Sequence, residues 1–558
     1  MDALRRASPL VRASSIVRDA RATTTTATTA TTATTVALEL FERVHVRIDD
    51  DDDDDDAASS SIDVDIDRAA YVGGAVWAMD WCPPASGDDD DDGGAREAFL
   101  AVDARAEAHR AHATRDAGRC RGDGVVQIWR SSDDALELEG VIVHDGGCVN
   151  DVKWSPYRDV GGIARAGAED AGALAASRGD GIVDVWIVPR RAATPAGNGG
   201  APCVLAVRCA FRGKIPRELG AVLCLEWNAV APGRLAAGTS AGAVVVWDIS
   251  TIACAARDEQ PAYPTFVHDL GGGGPVRAIA WRPCEDEESA YCRSLSEHQC
   301  ACASDFTAQP IVIDLRYHSA YAERTRGQYI VPALAWVCAR DYVVGFDMGD
   351  RSTTTTTSGE AQKATTAKTP VHQFCHDCNQ CQQPTISYVD VPGRSAVWCL
   401  DVRRSQRSGS SSSMVACATA NGVVCVKPAR HLPARMRKPK AHPFEVCAGL
   451  KAYDEETGKT LDRNPIEPPK CFDFVSSRRN VVRLGDELYP SEGYAKPGSS
   501  DAPTTAQHCV RWRRGPENSG WWLASAGDAG FLRVQRFNQA SALAALDSHD
   551  RQNWAHGA

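Results

Sequence analysis

The 558 residues, 43% of them hydrophobic, suffice for one large domain or about three to four ordinary ones. Two aspartate runs, Asp49–Asp56 and Asp88–Asp92, account for the net charge of −12 and leave the rest of the chain at about +1. The acidity thus sits in two self-repelling, solvated blocks and excludes no nucleic-acid partner. No run approaches the ~18 apolar residues of a membrane span. The 21 cysteines are scattered, often inside apolar segments such as Val222-Leu223-Cys224-Leu225; this excludes a small disulfide framework and points to a reducing compartment.

The first 35 residues carry Arg5, Arg6, Arg12, Arg18 and Arg21 against Asp2 and Asp19, followed by an almost pure Thr/Ala stretch. Two readings fit: a disordered low-complexity tail or an organelle transit peptide. Residues 1–70 are assigned to a disordered N-terminal tail. Within it, Val44–Ile48 and Ile62–Ile66 alternate with a period of two, and either could supply an outer strand that closes a ring of sheets.

From residue 71 one unit recurs: a strand ending in Trp, a gap, an apolar strand, a polar-Gly turn and a further strand. The first copy runs from Gly74-Ala75-Val76-Trp77-Ala78-Met79-Asp80-Trp81 to Gly124–Trp129. The second runs from His144 through Val149–Trp154 to Gly181–Trp186. The third passes Val222–Trp227 and ends at Ala243–Asp248, and the fourth passes Val276–Trp281 and ends at Ile311–Arg316. The fifth, Val331–Trp336 with Tyr342–Phe346, is weaker. The sixth shows Val397–Val402, Met414–Ala418 and Val423–Val426; the seventh shows Cys509–Trp512, Trp522–Ser525 and Phe531–Val534.

Alternation of period two makes each segment a strand. Asp123-Gly124, Asp180-Gly181 and Asn421-Gly422 offer the positive φ of a two-residue hairpin. Short strands in radial repetition predict an all-β, seven-bladed propeller over 71–540, because one blade cannot bury its own face. Long loops are expected at 85–98, 157–170, 350–372, 403–413 and 428–506, and a flexible tail at 541–558.

Chemistry-bearing motifs are few. His144, Asp180 and Trp186 resemble a catalytic triad, but without a nucleophile or metal they read as a buried hydrogen-bond network within one blade. Ala241 and Ala529 replace the turn Asp in the third and seventh copies, so those networks should be incomplete. Cys375, Cys378 and Cys381, with His372 and His376 nearby, have zinc-ligand spacing. Lacking a second knuckle they read as an incidental Cys-rich loop, and no metal or cofactor is assigned. Lys427, Arg430, Arg435, Arg437, Lys438 and Lys440 form a basic stretch that could contact phosphate, act in nuclear import, or simply be solvated. No phosphate-binding loop, nucleophile elbow or His-Glu-x-x-His sequence occurs, so no enzyme is expected.

Gly73–Pro83, Gly124–Trp129, His144–Trp154, Val276–Trp281 and Asp314-Leu315-Arg316 together resemble the WD-repeat subunit of transcription factor IIIC, the general factor of RNA polymerase III. The resemblance extends over most of residues 71–536. It implies a WD40 propeller in a nuclear, non-enzymatic scaffold. Such a subunit would pair with a second propeller subunit and with the large subunit that grips the B-box promoter, reaching DNA through the complex and no membrane. Two alternatives remain: a generic WD40 adaptor, such as a ubiquitin-ligase substrate receptor or ribosome-assembly factor, and an organellar redox protein using the Cys375 cluster.

Overall fold

The computed structural model describes residues 35–38, 43–45, 64–84, 97–105, 124–160, 164–167, 169–190, 203–251, 261–271, 274–286, 288–304, 310–322, 330–347, 371–375, 386–389, 395–404, 413–429, 445–454, 457, 459–460, 471–474, 480–484, 505–515 and 520–554. Among these the chain is nearly all β. It forms seven sheets of four or more strands and a small hairpin, Asp159–Val160 with Ala164–Arg165. No described helix is long and apolar enough to cross a membrane.

Each sheet opens with one of the repeated segments. In chain order the first strands are Ala75–Trp81, Val149–Trp154, Val222–Trp227, Val276–Trp281, Ile330–Trp336, Val397–Arg404 and Gln507–Trp512. The first five sheets are antiparallel meanders of four strands, each step pairing with the one before. The two faint copies thus build sheets as complete as the strong ones, because backbone pairing tolerates loss of the side-chain signature.

Consecutive first strands touch, and the last, Gln507–Trp512, touches the first, Ala75–Trp81. Tryptophan makes much of this contact. The indole N–H of Trp227 donates to Lys153 O at 3.0 Å, Trp281 to Glu226 O at 3.0 Å, Trp336 to Ala280 O at 3.1 Å and Trp81 to Arg511 O at 3.0 Å. Each acceptor immediately precedes the tryptophan of the neighbouring sheet. The spacing of tryptophans in the sequence is therefore the spacing of a sheet-to-sheet clamp. Trp227→Phe should lose about 1 kcal/mol with the hydrogen bond and Trp227→Ala about 3–5 kcal/mol, both read from urea unfolding.

Small residues set how closely the sheets approach. A Cβ on Gly238 would lie 2.5 Å from Val276 Cγ1, and one on Gly345 would lie 2.7 Å from Val397 Cγ1. Gly181 and Gly422 take the left-handed turn expected of them, at φ +85° and +86°. Gly124 does not: it begins the strand Gly124–Ser131, and a Cβ there would strike Gly147 O at 2.0 Å. Close packing, not a left-handed turn, is what needs a glycine at that point.

Three expectations about segment limits change. Val64–Tyr71, placed in the tail, is the fourth strand of the seventh sheet; it pairs with Phe531–Phe537, and Arg43–His45 adds outside it. Burial on both faces (the adjacent Ala69 and Ala70 are each fully buried) outweighs the low-complexity surroundings. The stretch 428–506, read as a loop, contains Glu445–Asp454, Cys471–Phe474 and Asn480–Leu484, which extend the sixth sheet, with Thr35–Leu38 parallel to the last of them. Gln539–Trp554 is a helix whose Ala542 and Leu546 are buried against the sixth and seventh sheets, in place of a flexible C-terminal tail.

Candidate functional site

The first strands of all seven sheets line one cavity of about 1210 Å³. At one end stand the residues that follow the buried valine, or its equivalent, in each first strand: Trp77, Asn150, Leu223, Arg277, Pro332, Trp398 and His508. Three are aromatic and adjacent. His508 stacks on Trp77 at 3.9 Å between centroids, and Trp398 lies 4.6 Å from His508. Trp77 is 37% exposed, and Arg105 sits over its ring at 5.8 Å. At the other end are the residues just past the tryptophans, including Pro83, Pro156, Pro283, Arg404 and Arg514.

Charge crosses the cavity. Glu226 in the third sheet meets Lys153 of the second at 3.3 Å and Arg514 of the seventh at 3.3 Å. Burial works against the Glu226 carboxylate, but Lys153, Arg514 and Arg511 outweigh it and hold its pKa below the ordinary value. Asp80 is the reverse case: burial pushes it up to about 6 against the pull of Lys153 and Arg514.

Asp80 and Asp401 also reveal a device the sequence reading missed. Asp80 Oδ2 accepts the backbone N–H of Trp154 at 2.8 Å, and Asp401 Oδ2 accepts that of Trp512 at 2.7 Å. The indole N–H groups of Trp154 and Trp512 are buried and find no hydrogen-bond partner among the described residues. Where an aspartate precedes the end of a first strand, its carboxylate replaces the indole clamp to the next sheet. The signal was present as Asp80-Trp81 and Asp401-Val402.

The expected His144–Asp180–Trp186 network takes another form. The His144 and Trp186 rings lie 5.7 Å apart, and His144 Nδ1 accepts from Gly146 N–H at 3.3 Å. Asp180, however, is taken by Arg178. That guanidinium donates at 2.7 Å to each of Asp180, Asp184 and Asp145, and Asp184 also accepts from Arg212 at 2.7 Å. A buried cation binds a carboxylate more strongly than a neutral imidazole does. The seventh sheet, expected to have an incomplete network, carries a different pair: His508 Nε2 lies 2.7 Å from Asp528 Oδ1, but this histidine is in the first strand, one residue past Gln507, whereas His144 stands five residues before Val149. The acid there stands one residue earlier than the turn position occupied by Ala529.

Burial, reinforced by the Arg178 charge, lowers the pKa of His144 to about 4. The folded value lies below the unfolded one, so the neutral ring contributes stability above pH ~6.5 that is lost as pH falls toward 4. At 1.36 kcal/mol per unit this comes to roughly 3 kcal/mol. Burial raises Asp80 and Asp103 to about 6, so they oppose this trend: they weaken the fold as pH rises from about 4 to 6. His144→Gln should therefore be less acid-sensitive than wild type between pH 6.5 and 4, measured as the difference between their urea midpoints at each pH.

The other sequence candidates are not brought together. Lys427 is buried in the strand Val423–Ala429, where loss of solvent lowers its pKa to about 8. Arg430, Arg435, Arg437, Lys438 and Lys440 lie outside the described residues. His372 and Cys375 belong to the strand Val371–Cys375; His376, Cys378 and Cys381 lie outside the described residues. Among the described residues no group of three His, Cys, Asp or Glu is placed to hold a metal ion.

No protein-family model matches the chain. Over 210 residues it is 27% identical to general transcription factor 3C polypeptide 2 from Homo sapiens and from Pongo abelii. The aligned part covers 33% of this chain and spans 22% of the length of those relatives. A third of the chain is thus distantly similar to a transcription factor IIIC subunit.

Proposed function

We propose that the seven sheets are the blades of a closed WD40-type propeller and that the protein is a non-catalytic scaffold subunit of a nuclear transcription factor IIIC-like complex. Trp81, clamped to Arg511 O of the seventh sheet, supports closure. The similarity to general transcription factor 3C polypeptide 2 is the observation that carries the functional reading. In this reading the protein works by binding. Ends of the cavity and outer sheet edges present surfaces to a second propeller subunit and to the large B-box-binding subunit, in support of RNA polymerase III transcription of tRNA and 5S rRNA genes. DNA is reached through the assembly, and the basic stretch from Arg430 to Lys440 is available for phosphate contact or nuclear import.

Affinity purification of the tagged chain with identification of bound proteins tests this. Transcription factor IIIC subunits in stoichiometric amounts are expected. Recovery of ubiquitin-ligase scaffolds or ribosome-assembly factors in their place would move the protein to the generic adaptor class. Fusion of residues 1–35 to a reporter addresses location separately, since delivery to an organelle would overturn the nuclear assignment.

A further inference from the structure

The last strand of an open sheet leaves a row of backbone N–H and C=O groups without partners, which a protein must cover or use. The chain itself covers two such edges. In the first sheet, Val141 N–H donates to Cys203 O at 2.8 Å and Leu205 N–H donates to Val141 O at 2.8 Å. In the second, Lys214 N–H donates to Ala262 O at 2.9 Å and Ala262 N–H donates to Arg212 O at 2.9 Å. Both added segments run parallel to the edge they cover. Each comes from the connector between the third and fourth strands of the following sheet, residues 190–207 and 249–265. Each has a proline just before it in sequence, Pro202 and Pro261.

Among the described residues, the third sheet lacks this cover. Its edge would have to be reached by the corresponding connector of the fourth sheet, between Pro310–Asp314 and Ser319–Ala322. That connector is only Leu315–His318, a tight turn with His318 at φ +49°. Four residues that must reverse direction have no length left, at roughly 3.3 Å each, to lie along a neighbouring edge. The outer strand Phe266–Asp269 therefore has no partner on its far side among the described residues. Leu270 N–H donates inward to Gly242 O at 3.1 Å. By the alternation of an antiparallel ladder, Phe266 and His268 then bond inward and Val267 and Asp269 turn their backbone groups outward. Val267 occupies the position equivalent to Val141 and Arg212, where the first two sheets are covered.

The surroundings fit a contact surface. Val267 is 44% exposed; Tyr263, in the connector just before its strand, Tyr317 and Tyr321, in the last hairpin of the fourth sheet, and Tyr291, on the helix Ala290–His298, are exposed as well. These five are most of the exposed large apolar side chains among the described residues, and all belong to the third and fourth sheets or their connections. Tyrosine is the kind of residue that anchors interfaces.

We propose that the edge at Val267 and Asp269 is a docking site for an extended segment of another polypeptide, uncharged and proline-led like this chain's own Pro202–Leu205, which adds to the sheet as a parallel strand. This goes beyond membership of any particular assembly, and its test does not depend on that membership.

The probe is a synthetic peptide of residues 199–208 carrying Cys203→Ala, added to the intact chain, with hydrogen exchange read by mass spectrometry and affinity by fluorescence anisotropy. Slowed exchange at residues 266–270 is expected. Val267→Pro removes an outward N–H without touching the inward ladder and should weaken binding roughly tenfold, while Val267→Thr binds as wild type does. Val267→Asp keeps the N–H but sets a charge against the uncharged segment, and should weaken binding as well; it serves if the proline variant does not fold. The proposal is overturned if millimolar peptide leaves 266–270 unprotected or protects only 136–144 or 208–214. It is equally overturned if binding is indifferent to both variants.

Discussion

Removing residues 1–71 should abolish the cooperative thermal transition, whereas removing residues 1–34, which keeps every described strand, should leave it in place. Val64–Tyr71 is 8 residues long and supplies the outer strand on Phe531–Phe537; without it that strand becomes an open edge and the buried Ala69, Ala70 and Tyr71 are lost. The strand also brings Asp67, which accepts from Arg533 Nε at 2.8 Å and from Gln535 Nε2 at 3.0 Å. Both members of the ion pair are about 5% exposed or less. Asp67→Ala leaves the guanidinium buried with the Gly449 carbonyl at 3.2 Å and the Phe474 ring at 5.4 Å, neither of them a charge to balance it. The cost is expected to be about 3–5 kcal/mol, because an unpaired buried charge keeps its desolvation penalty and loses the attraction that offset it. Circular-dichroism melts and size-exclusion profiles of the two truncations settle the point. A monomeric 72–558 fragment melting like the intact chain would contradict it.

Arg178→Met should be nearly as damaging, again by about 3–5 kcal/mol in urea unfolding. The Arg178 side chain is 5% exposed and holds three carboxylates, of which that of Asp184 is 1% exposed. Among the described residues, removing it leaves Asp184 with Arg212 and the long contact from Cys209 Sγ, and leaves Asp180 with the Ile182 N–H at 3.2 Å. Arg178→Lys should fall between the two, since one ammonium cannot reproduce the fork geometry that reaches three partners. Adding Asp184→Asn to Arg178→Met should recover part of the loss, giving a non-additive cycle. Strict additivity would show that the cluster is not a unit.

The Val-x-x-x-x-Trp pattern marks five of the seven first strands, with Val402 replacing the tryptophan in the sixth and Gln507 the valine in the seventh, because period-two alternation is a local property. The fifth and sixth sheets were legible only faintly, yet they formed. Their missing signatures, such as Val402 in place of a tryptophan, cost one clamp and not the backbone ladder. The fourth strand of the sixth sheet, Glu445–Asp454, was passed over as part of a long insertion. Nothing local distinguishes a strand that pairs across an insertion from an apolar loop.

The candidate site divides the same way. His144, Asp180 and Trp186 were recognisable as one buried group, but Arg178 was not recognisable as its hub. Arginine at the end of a strand carries no sequence mark, and its role depends on Asp145 and Asp184 arriving from two other segments. His508 and Asp528 fall outside the template at both ends: the acid stands one position before Ala529, and the histidine lies within the first strand, whereas His144 precedes its first strand.

The amino-acid order by itself determined the first strand of each sheet, the Gly181 and Gly422 turns and the regular placement of tryptophans, since alternation and allowed φ values are set by residues a few positions apart. Only the tertiary structure decided that Val64–Tyr71 closes on Phe531–Phe537, that Arg178 displaces His144 from Asp180, and that the far side of Phe266–Asp269 has no partner among the described residues. Those outcomes turn on competition between partners far apart in the chain. They are decided where water is excluded, and there charge pairing and edge coverage outweigh local preference.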